Sequence, residues 1–114
     1  FKDGVVSFGS SPYEKNRAKE LFPICYNIFM NCADFRRTGS AALDICYVAC
    51  GRQHAYLEQN LKPWDYSGAS IILQEAGGTI TDWKNSQLPY LTNSDILACV
   101  PQFQEIMLKI VAKR

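Results

Sequence analysis

The spacing of hydrophobic positions changes along this chain, and each change marks an element. Gly4-Val5-Val6-Ser7-Phe8 is rich in β-branched and aromatic residues, which predicts a short strand ended by Gly9-Ser10. Ser11-Pro12-Tyr13-Glu14 has the form of a helix start: a serine able to cap, a proline at the first helical position, and a glutamate three residues after the cap. Leu21, Ile24, Cys25, Ile28 and Cys32 then recur at helical spacing, with Pro23 expected to kink or divide the helix. Asp34 to Thr38 reads as a short strand or extended link. Gly39-Ser40 opens a second helix in which Ala41, Ala42, Leu43, Ile45, Cys46, Val48, Ala49 and Cys50 are apolar almost all round. That helix is expected to be buried on most sides, with Gly51 as its stop.

Ala55-Tyr56-Leu57-Glu58 predicts another strand, and Leu61-Lys62-Pro63 an extended lead into the next helix. Asp65 is expected at that helix's N-cap; Ile71, Ile72 and Leu73 continue it, and Gly77-Gly78 end it. Thr79-Ile80-Thr81-Asp82 is a strand by composition, Lys84 to Ser94 a loop around Pro89, and Ile96-Leu97-Ala98-Cys99-Val100 a buried strand. After Pro101, a last helix carries Phe103, Ile106, Met107, Ile110 and Val111 at helical spacing and ends in Lys113-Arg114, cations that suit a helix C-terminus. Strands alternating with helices predict an α/β layered sandwich, a mixed, mostly parallel sheet flanked by helices. The whole of 1–114 reads as one domain, without repeat or linker.

Composition narrows the class. With 114 residues, 47% hydrophobic and 20% charged, the chain can build one core of modest stability. Net charge is +1, and no basic stripe suggests a nucleic-acid partner. Apolar runs are too short for a membrane span, and the start does not look like a signal peptide, so a cytoplasmic location is expected. The chain opens on Phe1 and enters an apolar run at Val5-Val6, so residues are expected upstream of it. Five cysteines without a CxxC read as reduced core thiols, and the single His54 lacks the clustered cysteines a zinc site needs.

Several residues are candidates for chemistry. A carboxylate at a helix start, as at Asp65, can be a plain cap contributing about 1 kcal/mol. It can also cap with one oxygen and meet a cation with the other. Magnesium needs near-octahedral oxygen ligation, so further ligands would come from elsewhere. Gly39-Ser40-Ala41 offers either helix-start amides for ligand oxygens or a simple helix entry. Glu58 ends a strand, where α/β sheets place ligand-contacting carboxylates, although a solvated charge is the plainer reading. Arg36-Arg37 could pair with phosphate or form a solvated face. His54 is expected to be exposed and to have no catalytic role. Glu75 sits near a helix C-terminus, where negative charge is unfavourable, and is expected to have a partner.

Arg37-Thr38-Gly39-Ser40-Ala41-Ala42, Gly51-Arg52, Ala55-Tyr56-Leu57-Glu58, Trp64-Asp65-Tyr66-Ser67-Gly68-Ala69 and Glu75-Ala76-Gly77-Gly78 together resemble, in order and spacing, the inositol monophosphatase family. The W-D-x-x-[AG] and E-A-G-G elements form that family's C-terminal signature. The resemblance covers roughly the whole chain and is best from Arg36 to Asp82. It implies the C-terminal α/β half of the family's layered sandwich, without the N-terminal metal-binding half. It implies hydrolysis of a phosphate monoester, inositol monophosphate or a related sugar phosphate, by two or three magnesium ions (Mg2+) and an activated water. Asp65 matches a magnesium ligand. Glu58 matches a carboxylate that hydrogen-bonds substrate hydroxyls. Gly39, Ser40 and Ala41 match the helix start whose backbone and hydroxyl face the substrate. No residue of this chain is assigned as catalytic, and a homodimer is implied.

There are departures. The family's D-P-[IL]-D-G-[ST] run and an upstream glutamate are absent, so the chain alone is expected to be inactive. His54 stands where an aspartate is usual, which puts a local contact in doubt. Tyr66 and Ser67 are bulkier or more polar than usual. The alternatives are a non-catalytic truncated paralogue or interaction module, or a fructose-1,6-bisphosphatase-like or adenosine bisphosphate phosphatase relative. Without its other half, the scaffold is expected to show apolar surface.

Overall fold

A computed structural model describes residues 2–10 and 15–112. The predicted alternation is realised as β1 (Val5–Phe8), α1 (Ala18–Asn31), β2 (Asp34–Arg36), α2 (Ala41–Ala49), β3 (Ala55–Leu61), α3 (Pro63–Glu75), β4 (Thr79–Thr81), β5 (Ser94–Cys99) and α4 (Pro101–Ala112). A 3-10 turn at Lys15–Arg17 leads into α1. The capping sequence expected at Ser11 to Glu14 lies outside the described residues.

The strands form one sheet in the order β2-β1-β3-β5-β4. β1 runs parallel to β2 and β3, while β5 runs antiparallel to β3 and β4. Four described strands therefore point one way and β5 opposes them, a mixed, mostly parallel sheet. Parallel neighbours need crossovers, which α1 and α2 supply. Side chains alternate across the strands. Val6, Ala55, Leu57, Leu97 and Cys99 pack with Leu21, Ile24 and Ile28 of α1 and Met107 and Val111 of α4. Tyr56, Ile80, Ile96 and Ala98 pack on the opposite face with Ile45 and Val48 of α2 and Tyr66 and Leu73 of α3. Each large apolar side chain so buried contributes roughly 1.5–3 kcal/mol. Because α1 and α2 lie on opposite faces, a crevice opens at the carboxyl ends of β1 and β3, where α/β sheets hold ligands.

The structure corrects several expectations. Pro23 does not divide α1. It is exposed, so the Lys19 carbonyl deprived of a helical donor faces water. Nor is α2 buried on most sides: it buries Asp44, Ile45 and Val48, while Ala42 and Leu43 are exposed. It is an outer-layer helix, and only the face toward the sheet and α3 is covered. Of the cysteines, all free, Cys25 and Cys99 are core residues, and burial pushes both thiols up to about 12. Cys32, Cys46 and Cys50 lie nearer the surface. Phe22, Tyr26, Phe29 and Met30 form an exposed apolar stripe on α1. Among the described residues no helix is long and apolar enough to cross a membrane.

Candidate functional site

A pocket of about 590 Å³ occupies the crevice. Gly9 and Ser10 enter it after β1, Arg37 after β2, and Glu58, Asn60, Leu61 and Lys62 from the end of β3 and just beyond it. Gly39, Ser40 and Asp44 come from the start of α2, Trp64 and Asp65 from the first turn of α3, and Asn93 from the segment before β5. Of the residues singled out in the sequence, Gly39, Ser40, Glu58 and Asp65 line this pocket, and Ala41 does not.

Asp65 is not the N-cap of its helix. Pro63, whose fixed φ and missing N–H suit the first helical position, starts α3 earlier, and Lys62 is the N-cap. Asp65 is the third helical residue, and its Oδ2 accepts the Lys62 amide at 3.3 Å. Its carboxylate still faces the positive end of the helix dipole. Trp64 beside it is 76% exposed, with the Lys62 ammonium 5.5 Å from its ring centre.

Ser40 is the N-cap of α2, and its Oγ accepts the Leu43 amide at 3.3 Å. The hydroxyl expected to face a ligand thus also serves the helix. Gly39 precedes it at φ +88°, a left-handed conformation that would strain a side chain.

Glu58 accepts a hydrogen bond at Oε1 from the Tyr56 hydroxyl. On its other side stands Gly9, where a Cβ would overlap the Glu58 carboxylate. Beyond Glu58 the register of β3 against β5 shifts. Asn60, at φ 57°, turns this bulge, and its amide donates to Asp95 Oδ1 at 3.0 Å. Arg17 holds Asp95 with two bonds of 2.7 and 2.8 Å.

Asp44 was not among the sequence candidates. Its signal was being the single charge in an otherwise apolar helix. It is 1% exposed, and its Oδ1 accepts Gln53 Nε2 at 3.3 Å. Gln53 Oε1 accepts in turn from the Ser7 hydroxyl. Loss of hydration pushes the Asp44 carboxyl above its ordinary value, and hydrogen bonds from Thr38, Gln53 and Ser7 only partly oppose that. A raised folded-state value means the contribution of this group is fully present below the ordinary carboxylate range. It is lost as pH rises through the folded-state value. Asp44→Asn keeps an acceptor for Gln53 and removes the charge. Thermal unfolding from about pH 4 to 7 is expected to show the variant gaining on the wild type as pH rises; a constant difference would contradict this.

The arginine pair divides. Arg36 binds Asp34 at 2.9 Å in an exposed ion pair. Arg37 donates through Nε to Ser10 Oγ at 3.1 Å, lines the pocket, and acts on the Asp44 carboxyl through its charge.

Contrary to expectation, His54 is half-buried. Its Nδ1 accepts the Val5 amide at 3.0 Å, and its ring stacks on Phe103 at 5.0 Å. An imidazole nitrogen thus accepts a main-chain amide at this position.

Glu75 is exposed and has no side-chain partner among the described residues. Water solvates its charge, and the turn after α3 is closed by backbone bonds from Ala76, Gly77 and Gly78 to Ile72, Gln74 and Leu73. Tyr66 has a structural use. Fully buried, it donates to the Thr92 carbonyl at 2.9 Å and accepts the Tyr90 amide at 3.0 Å. That pins to α3 the loop leading to Asn93. Ser67 donates to the Pro63 carbonyl at 2.6 Å.

Among the described residues no three His, Cys, Asp or Glu groups converge to hold a metal ion. Asp65 presents one carboxylate to the pocket, an oxygen donor of the hard type magnesium prefers.

The profile of the inositol monophosphatase family matches residues 4–114. The chain is 41% identical over 109 residues to the Nus factor SuhB of Pasteurella multocida, a match covering 94% of this chain and 40% of that protein. Among solved structures it is similar to an inositol monophosphatase from Anabaena (Nostoc) sp., with 28% identity and a TM-score of 0.89 over 98% of this chain and 44% of the other. It is also similar to the staphylococcal SaIMPase-II with inositol monophosphate bound, with 26% identity and a TM-score of 0.82 over 95% of this chain and 42% of the other. The chain thus spans about 40% of the length of the curated relative it matches.

Proposed function

We propose, because this chain belongs to the inositol monophosphatase family, that it supplies the substrate-facing half and one metal ligand of a magnesium-dependent phosphate monoester hydrolase. The substrate we propose is inositol monophosphate or a related sugar phosphate. One observation carries this reading: a single pocket of about 590 Å³ gathers Gly39, Ser40, Glu58 and Asp65, matched to the family from three separate stretches of chain. The inositol monophosphate bound to the staphylococcal relative supports the substrate class.

Each residue has a role its chemistry suits. Asp65 holds a metal from the start of α3. Magnesium, when bound, polarises phosphate and lowers the pKa of its water. Glu58 accepts bonds from substrate hydroxyls. The start of α2, at Gly39 and Ser40, faces ligand oxygens with its backbone. Arg37, in the lining of the pocket, is placed to meet a phosphate through its planar donor fork. We further propose a cytoplasmic homodimer.

One carboxylate cannot build a two-metal site. Phosphate release from inositol 1-phosphate with magnesium is therefore expected from the full-length protein bearing this chain, and none from residues 1–114 alone. Absence of turnover in the full-length protein at saturating magnesium would sink the reading. It would favour the second one, an interaction module on the same scaffold, which draws on the name Nus factor carried by the Pasteurella multocida relative.

A further inference from the structure

We propose that Tyr56 is a positioning residue, whose phenol holds the Glu58 carboxylate in place for the hydroxyls of a polyol substrate. This rests on the reading of Glu58 as a substrate contact. Tyr56 and Glu58 stand two apart on β3, so both project from the same face of the sheet. The Tyr56 ring is 0% exposed and locked among side chains of α2, α3 and the sheet. Its hydroxyl reaches along the strand to Glu58 Oε1. Burial, and after it the charge of Glu58, push the phenol well above its ordinary value. It therefore stays protonated and can only donate to the carboxylate. An ionised carboxylate offers about four lone-pair sites, so the phenol by itself does not saturate it.

Gly9 completes the arrangement. Its backbone, at the end of β1, lies where any Cβ would collide with Glu58. The carboxylate is thus set between a phenol fixed by the core and a strand end whose missing side chain leaves it this position. Glutamate has three rotatable side-chain bonds, and fixing them before the substrate arrives avoids ordering them on binding. A carboxylate held this way is an acceptor at a defined place, which selects ligands presenting hydroxyl donors.

The test compares two substrates in the full-length protein: inositol 1-phosphate, which has hydroxyls, and p-nitrophenyl phosphate, which has none to offer Glu58. Tyr56→Phe keeps the ring and removes only the hydroxyl. It is expected to raise KM for inositol 1-phosphate about tenfold, with kcat falling less than about threefold and KM for p-nitrophenyl phosphate moving less than about twofold. In a Glu58→Ala background, Tyr56→Phe is expected to add nothing further. Equal losses on both substrates would mean a structural effect and overturn the proposal. So would an additive effect in the Glu58→Ala background. If Glu58→Ala leaves the polyol KM unchanged, the substrate contact itself is wrong, and the Tyr56 role goes with it. If Glu58→Ala raises KM and Tyr56→Phe does not, the Tyr56 role fails alone.

Discussion

Asp65→Ala is expected to reduce magnesium-dependent phosphate release by the full-length protein at least ~100-fold. Groups that merely orient metal ligands cost about 10–100-fold when removed. Asp65, matched to a ligand itself, is expected to exceed that range. The competing view is that Asp65 only steadies the start of α3, through the Lys62 amide at 3.3 Å. Loss of such a contact costs about 0.5–2 kcal/mol, against roughly 5–15 kcal/mol for a folded domain. The protein would remain folded, so inactivity could not be blamed on unfolding. Asp65→Asn separates the views. The amide oxygen can still accept from Lys62, so melting is expected to match the wild type within a few degrees. The charge that attracts the cation is gone, so activity is expected to fall as steeply as in Asp65→Ala and to recover partly at high magnesium. Full activity in Asp65→Asn would leave Asp65 as a helix-start residue and nothing more.

The largest effect on stability is expected at Trp83. This side chain is 4% exposed and packs in the core that α1 and α4 share with the sheet. Its indole Nε1 donates to the Ile96 carbonyl at 3.0 Å, tying the end of β4 to β5. Trp83→Ala removes the ring, at about 3–5 kcal/mol. It also strands a buried carbonyl, at about 1–3 kcal/mol more. Together these are comparable to the whole stability of a domain of this size. Urea denaturation is expected to show a large drop in midpoint, or a protein already unfolded without denaturant. Trp83→Phe, which keeps most of the ring area but no donor, is expected to fall between. A midpoint unchanged in Trp83→Ala would show that the core closes without this residue.

Trp83 also shows where reading the chain alone runs out. It stands between a predicted strand and a predicted loop, and no local period announces a core residue there. The same holds for the polar groups around the pocket. Ser7, Gln53 and Asp44 belong to β1, the turn before β3, and α2, and become one network only when β1 and β3 pair and α2 crosses above them. Tyr56 reads as a plain strand residue, and only its depth in the core shows that its hydroxyl must find a partner. His54 offers no hint, without coordinates, that its ring will lie against Phe103 and take the Val5 amide. The sequence places the N-cap at Asp65, three positions after the actual cap Lys62, because capping preferences and Pro63 both favour a helix start, and only the backbone shows that the proline prevailed.

By itself the sequence determined the succession of strands and helices and the residues that mark the family. These depend on side-chain period, turn chemistry and short motifs, all local along the chain. Tertiary structure alone decided that Gly39, Glu58 and Asp65 share one pocket, that Asp44 lies buried beside it, and that a tyrosine and a glycine hold Glu58 between them. The physical reason is that burial, carboxyl pKa and side-chain aim depend on neighbours from other elements, such as Ser7 beside Asp44 and Gly9 beside Glu58. Those neighbours meet only when the mixed sheet is assembled.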